Sequence, residues 1–246
     1  MTVSRTLVVI PALNEQESVA DVVRATRALG YQVCVIDDGS SDETAQRASL
    51  AGAHVLRLPV NLGIGGALRC GFRWALAHGY DSVVQVDADA QHDPGEIGLL
   101  LEVMRESGAE MVIGSRFVEG AGDYDVHRAR RLVMHALSRR VARITGVRVL
   151  DSSSGFRAIR RPLLTHFATD YPVEYLDSVE ALVDAGHTGA KIVEHPVAMA
   201  PRANGNPSSG RLAGFWHVIR VIVAMELMHK RRPRGPVKLS RDSGSD

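Results

Sequence analysis

Three carboxylates fall within one short segment, VVQVDADAQHDP: Asp87, Asp89 and Asp93, with Gln91 and His92 between them. Asp87 and Asp89 are two residues apart, so in an extended segment their side chains share a face. Neighbouring carboxylates repel unless a positive charge lies between them. Hard oxygen donors of this kind suit Mg²⁺ or Mn²⁺, with phosphate oxygens completing the coordination sphere. The pair Asp87 and Asp89, with Gln91 beside it, is therefore a candidate for metal and nucleotide binding. Asp87 and the small Ala88, which lets the backbone approach a ligand, are nucleotide candidates. Asp93 also fits a plainer role, capping the helix that Pro94 starts.

Other segments carry residue types suited to the same chemistry. Gly63, Gly65 and Gly66 allow close backbone approach within a glycine-rich loop over Asn61–Gly66. No P-loop lysine accompanies them, which argues against a nucleotide hydrolase. Arg116 follows an apolar run, and Arg128, Arg130 and Arg131 precede or open a helix. Guanidinium forks match phosphate oxygens. Asp151 and Arg157 flank a Ser/Gly turn, where Asp151 orients an arginine, approaches an acceptor or forms an Asx-turn. Asp177 and Glu180, three apart, share a helix face. Arg202, Asn204, Gly205, Asn206 and Ser208 lie in a polar loop. His92, His127, His135 and His195 have no metal-site spacing.

The elements that must hold these residues alternate. Strands are expected at Thr6–Ile10 (stopped by Pro11), Val33–Ile36, His54–Leu58, Ser82–Val86, Met111–Gly114 and Ala190–His195. Helices are expected at Ser18–Leu29, Ser41–Leu50, Ala67–His78, Pro94–Glu106, Ala129–Ile144, Glu174–Ala185 and Leu212–Lys230, with a short helical region over 158–169. Short strand–helix connections predict an α/β fold, a mostly parallel sheet flanked by helices. The polar and glycine-rich signals sit just after strands, where open α/β sheets build their sites.

Four motifs, VVIPALNEQESV, VIDDGSSDET, NLGIGGALRCGFRWAL and VVQVDADAQHDP, together resemble the inverting family-2 glycosyltransferases of GT-A fold, over roughly residues 5–210. GSRF, DSSSGFRAIR and EYLDSVEAL are similar to segments of dolichol-phosphate mannose synthases and bacterial polyprenyl-phosphate sugar synthases. The resemblance implies a Rossmann-like nucleotide-sugar-binding domain over 1–210. Pro11, Ala12, Asn14, Glu15, Asp38, Asn61, Gly65, Asp87 and Ala88 would then hold the nucleotide, and Asp89 a Mg²⁺ or Mn²⁺. Arg116, Arg131, Asp151, Arg157, Asp177, Glu180 and Arg202 join Asp89 as catalytic candidates. The loop at Arg202 would fold over the donor and exclude water. The chain departs from the synthases where Arg131 is followed by His135 rather than a hydroxyl residue four positions on.

The implied reaction is inverting transfer of a sugar from a UDP- or GDP-sugar to a polyprenyl phosphate. The alternative is transfer to a hydroxyl on a soluble or cell-envelope acceptor, which needs Asp177 or Glu180 as base. A nucleotidyltransferase would need a basic glycine-rich first loop, and none is present. A non-catalytic binder is disfavoured by the intact acidic pair. Aromatic residues are 5% of the 246, and no zinc pattern or reading helix accompanies them, so nucleic acid is not an expected partner.

Composition agrees with a globular enzyme: 45% hydrophobic and 23% charged residues. Two cysteines cannot form a disulfide scaffold, and the opening run does not read as a signal peptide. The formal charge of +1 hides a basic end. Residues 211–234 read as an apolar and basic helix, too short and too charged to span a bilayer, and 235–246 as a flexible tail. These suggest peripheral attachment to the inner face of the membrane, a small membrane-protein partner or a homo-oligomer.

Overall fold

The computed structural model describes residues 5–118, 138–139, 142–143, 148–172 and 177–199. The strands are β1 (Thr6–Ala12), β2 (Gln32–Asp37), β3 (His54–Arg57), β4 (Ser82–Gln85), β5 (Met111–Ser115), β6 (Arg157–Arg160) and β7 (Ile192–Pro196). The helices are α1 (Val19–Ala28), α2 (Thr44–Leu50), α3 (Gly63–Ala77), α4 (Ile97–Ser107), α5 (Arg161–Asp170) and α6 (Asp177–His187). The strands form one sheet in the order β3-β2-β1-β4-β6-β5-β7. β6 runs antiparallel to both β4 and β5, and the other pairings are parallel. This is the expected α/β, mostly parallel sheet with helices, a GT-A-like fold with one reversed strand.

Strand periodicity sorts the core onto two faces. Leu7, Val9, Cys34, Ile36, Val83, Met111 and Ile113 pack against Leu68 and Phe72 of α3, Phe167 of α5 and Leu182 of α6. Val8, Ile10, Val33, Val35, Val84 and Val112 pack against Val19 and Val23 of α1 and Leu100 of α4. Gly71 lets α3 lie close to the sheet: a Cβ there would stand 2.8 Å from both Ile36 and Val9 side-chain atoms. Burial pushes the Cys34 thiol up to about 12, leaving it protonated and inert at neutral pH.

Three local expectations are corrected. The expected helical region at 158–169 is the strand β6 followed by α5. The segment RAIR is short, and both of its backbone edges pair in the sheet, with β4 and β5, contacts that local periodicity does not reveal. The loop at Asn61–Gly66 ends early, because α3 begins at Gly63. β1 does not stop at Pro11. In a parallel strand the polar groups alternate sides, and Val9 offers its carbonyl to Val86 on the β4 side. Pro11 faces that same side, beyond the last paired residues of β4, so its missing N–H interrupts no ladder bond. Ala12 still accepts from the Asp38 N–H on the β2 side.

Helices α5 and α6 are joined by His166, whose Nε2 lies 2.7 Å from Asp184 Oδ2. The hydrogen bond to Asp184 holds the imidazole pKa above its ordinary 6.5, with burial opposing. A histidine with a raised folded-state pKa contributes stability in full below the unfolded value, and loses it as pH rises through the folded value. His166→Gln is therefore expected to lower the melting temperature more at about pH 5.5 than at about pH 8.5. Melting curves of both proteins across that range check it; an equal loss at both ends would sink the assignment.

Candidate active site

β1 is the switch point of the sheet: the chain runs outward from it through β2 and β3, then returns to its other side at β4. The carboxyl ends of β1 and β4 part there, and open α/β sheets bind ligands in such crevices. A cleft of about 330 Å³ occupies the place. It is lined by Pro11 and Ala12 at the end of β1, Glu15 after it, Asp38 after β2, Asn61 before α3, and Asp87, Ala88 and Asp89 after β4. All were expected from sequence. Leu13, Gly63, Ile64 and Ala67 complete the lining.

The loops around the cleft are cross-tied. The Asn14 N–H donates to Ser40 Oγ at 2.9 Å, and Asn14 Oδ1 accepts from the Ser41 N–H at 2.9 Å. Asn14 adopts a left-handed φ of 55°, which asparagine tolerates. It is outside the cleft lining, so it joins the β1 and β2 loops rather than lining the wall. Glu15 is fixed through its N–H to Thr44 Oγ1 at 2.8 Å. Asp38 Oδ1 accepts the Leu62 N–H at 2.7 Å, and Asn61 Oδ1 the Gly63 N–H at 2.9 Å. Both thus satisfy amides at the start of α3. Gly65 is buried in the first turn of that helix, away from the lining residues.

After β4 the backbone turns sharply, with Ala90 at a φ of 60°. Asp89 Oδ1 accepts the Gln91 N–H at 3.1 Å, so the backbone of Gln91 braces the carboxylate. His92 is buried, stacks on Phe156 at 5.0 Å, and its Nδ1 accepts the Asp87 N–H at 3.3 Å. Asp93 Oδ1 accepts the Gly95 N–H at 2.8 Å, the capping role.

A second cluster lies along the same edge, at the end of β5. Arg116 donates from Nε to Asp151 Oδ2 and from Nη2 to Asp151 Oδ1, both at 2.7 Å. Its Nη2 also reaches Ser153 Oγ at 2.9 Å. Asp151 is fully buried and orients Arg116; of the roles open to it from sequence, this is the one the geometry displays. Arg157, expected as a catalytic candidate, is 1% exposed. Its guanidinium donates to the carbonyls of Ser154, Ser152 and Ser178, pinning the turn to the start of α6. It acts on the backbone, because a buried guanidinium must spend its donors on nearby acceptors.

Two participants escaped sequence reading. Gly155 touches Asp87: a Cβ at Gly155 would stand 2.4 Å from Asp87 Oδ1. Glu194 on β7 accepts the N–H groups of Leu150 and Asp151, at 2.7 and 2.8 Å. Gly155 sits within DSSSGFRAIR and Glu194 in no quoted motif, but the role of each is defined by a distant partner. α6 begins at Asp177 and carries Glu180 one turn on. Arg131 and its neighbours, the Arg202 loop, the 211–234 helix and the tail lie outside the described residues.

Glu15, Asp38, Asp87 and Asp89 all line the cleft, and among the described residues no lysine or arginine does. Unit charges about 4 Å apart interact by about 4 kcal/mol near a protein surface. A divalent cation bound among them would offset their repulsion of a diphosphate. The donor set is all oxygen, which fits Mg²⁺ or Mn²⁺. Among the described residues no three His, Cys, Asp or Glu side chains form a metal cage of their own. Mg²⁺-type sites agree with this, using one or two carboxylates and completing the sphere with phosphate and water.

Residues 7–167 match Glycosyl transferase family 2. The chain belongs to this family. It is a glycosyltransferase. It is 35% identical to a polyprenol monophosphomannose synthase of Mycolicibacterium smegmatis, over 82% of this chain and 79% of that protein. It is 34% identical to an undecaprenyl-phosphate mannosyltransferase of Micrococcus luteus, over 85% of this chain and 90% of that one. Among solved structures it matches glucosyl-3-phosphoglycerate synthase of Mycobacterium tuberculosis, in complex with Mn²⁺, UDP-glucose and phosphoglyceric acid. The TM-score is 0.70 at 25% identity, covering 92% of this chain and 79% of that one.

That structure corrects the expected subfamily. The resemblance pointed to dolichol-phosphate mannose and polyprenyl-phosphate sugar synthases, whereas the architecture is matched by an enzyme whose complex carries phosphoglyceric acid. The polyprenyl-phosphate acceptor, the membrane surface and the membrane-protein partner are withdrawn with it. The segments that pointed to the lipid-phosphate branch, GSRF, DSSSGFRAIR and EYLDSVEAL, do not fix the acceptor: within DSSSGFRAIR, Asp151 is taken by Arg116 and Arg157 by backbone carbonyls. Among the described residues no helix is long and apolar enough to cross a membrane.

Proposed function

We propose that this glycosyltransferase moves a sugar from a UDP-sugar to a hydroxyl group of a small soluble acceptor, with Mg²⁺ or Mn²⁺ at Asp89. The observation that carries the reading is the cleft of four carboxylates at the switch point, whose charge a cation would offset for an entering diphosphate. The likeness to a synthase in complex with Mn²⁺, UDP-glucose and phosphoglyceric acid supports the donor and acceptor classes. Two free cysteines agree with a reducing, cytoplasmic setting.

The chain's own groups divide the work. Glu15, Asp38 and Asn61 wall the nucleoside side of the cleft, while Asp87 and Asp89 face the diphosphate. When bound, a divalent cation offsets the negative charge developing on the departing UDP. A hydroxyl nucleophile must lose a proton, so a base is needed where a lipid phosphate would not need one. Asp177 or Glu180 is assigned that proton. The Arg157 bridge between the Ser152–Ser154 turn and Ser178 fixes the start of their helix. Direct displacement inverts the anomeric centre.

The test incubates the full chain with UDP- and GDP-sugars, Mn²⁺ or Mg²⁺, and soluble hydroxyl acceptors that include phosphoglycerate. Released nucleotide and the NMR configuration of the product are read. Metal-dependent transfer from a UDP-sugar with inversion is expected. Transfer to polyprenyl phosphate alone, or retention at the anomeric centre, would overturn the reading.

A further inference from the structure

Arg116 is held by Asp151, and Asp151 itself stands on another residue. Glu194, on the edge strand β7, accepts the N–H of Leu150 through Oε2 at 2.7 Å and that of Asp151 through Oε1 at 2.8 Å. One carboxylate thus receives two successive backbone donors, each a charge-assisted bond stronger than a neutral one. From this base the fully buried Asp151 receives Arg116 Nε and Nη2 side by side, and the Arg116 N–H at 3.1 Å. The arginine side chain is 10% exposed, so Asp151 sets its direction. The same turn goes on to press Gly155 against Asp87.

We infer that Glu194 is a positioning residue for sugar transfer, acting through Asp151 to aim the Arg116 guanidinium at the active-site edge. The inference rests on the glycosyltransferase reading for its kinetic consequence, but its geometric content stands apart. A glutamine at 194 keeps the shape and one acceptor oxygen, while its amide hydrogens meet a backbone N–H. Leu150 or Asp151 then loses its acceptor, and the orientation of the Asp151 carboxylate loosens.

The experiment compares full-length wild type, Glu194→Gln and a control, Glu110→Gln. Glu110 likewise accepts a backbone N–H, that of Lys191 at 2.7 Å, next to the opposite end of β7. The first readout is hydrogen exchange at Arg116 Nε, followed by NMR without substrate. Glu194→Gln is expected to speed it about tenfold, the equivalent of losing one bond to a charged acceptor. The control is expected to leave it within about twofold, since its anchor lies elsewhere. Unchanged exchange in Glu194→Gln, or equal acceleration in the control, overturns the inference whether or not transfer is seen.

The second readout is kinetic. Glu194→Gln is expected to lower kcat/KM for the acceptor about tenfold, with UDP affinity in the presence of Mn²⁺ unchanged. Combined with Asp151→Asn, the losses should be less than additive, because both act on one arginine. An equal fall in UDP affinity, or full additivity, overturns the positioning role. If the wild type transfers no sugar, the functional reading falls, and the Arg116 exchange still decides the role of Glu194.

Discussion

Replacing Asp89 by alanine is expected to lower kcat/KM for sugar transfer by at least about 10³-fold while the protein stays folded. The carboxylate lines a cleft wall that already holds Glu15, Asp38 and Asp87. Removing it takes away a ligand for the cation that the diphosphate needs. It also relieves like-charge repulsion, so the melting temperature should hold or rise. Steady-state kinetics in saturating Mn²⁺, calorimetric Mn²⁺ titration and thermal melting together check this. Near-normal turnover, or wild-type metal affinity, would remove Asp89 from the site.

A methyl group at Gly155 should have an effect nearly as large, from a residue that carries no chemistry. Built there, a Cβ would lie 2.4, 2.5 and 2.8 Å from Oδ1, Oδ2 and Cγ of Asp87. No side chain accommodates such contacts, so the Asp87 carboxylate must swing out of place. Gly155→Ala is expected to weaken UDP–Mn²⁺ binding about 100-fold at little cost in stability, because the displaced carboxylate is the end of a partly exposed side chain that can swing. Gly98→Ala is the control: its Cβ would meet only the Tyr31 hydroxyl at 3.8 Å. In a helix that change is neutral or stabilising. UDP affinity unchanged in Gly155→Ala would show that Asp87 is not the nucleotide ligand its position suggests.

The cleft is legible in the sequence because its signals are local. Each strand there is an apolar run, and the residues that line the cleft follow it within a few positions, as Asp38 follows β2 and Asp87–Asp89 follow β4. The reversed strand was not legible. RAIR has two arginines in four residues, and its partners β4 and β5 are distant along the chain. Glu194 shows the same limit, since it reaches its partner Asp151 across 43 residues. Arg157 was read as a catalytic candidate because an arginine beside a Ser/Gly turn looks the same whether it faces a ligand or carbonyls. Its burial distinguishes the two. The acceptor is misread for a related reason: DSSSGFRAIR looks like an acceptor signal, while its Asp151 and Arg157 are held by Arg116 and by backbone carbonyls.

The missing donor at Pro11 bears on how tightly the cleft grips what enters it. Any other residue at the end of β1 would aim an N–H toward the gap beside β4, and that amide would hold a water molecule in the empty enzyme. An arriving nucleoside would have to strip that water and replace its hydrogen bond. With proline there, that N–H is absent and the cleft wall presents a nonpolar ring in its place. The ring that leaves the ladder intact thereby removes one polar group that a molecule entering the cleft would have to dehydrate.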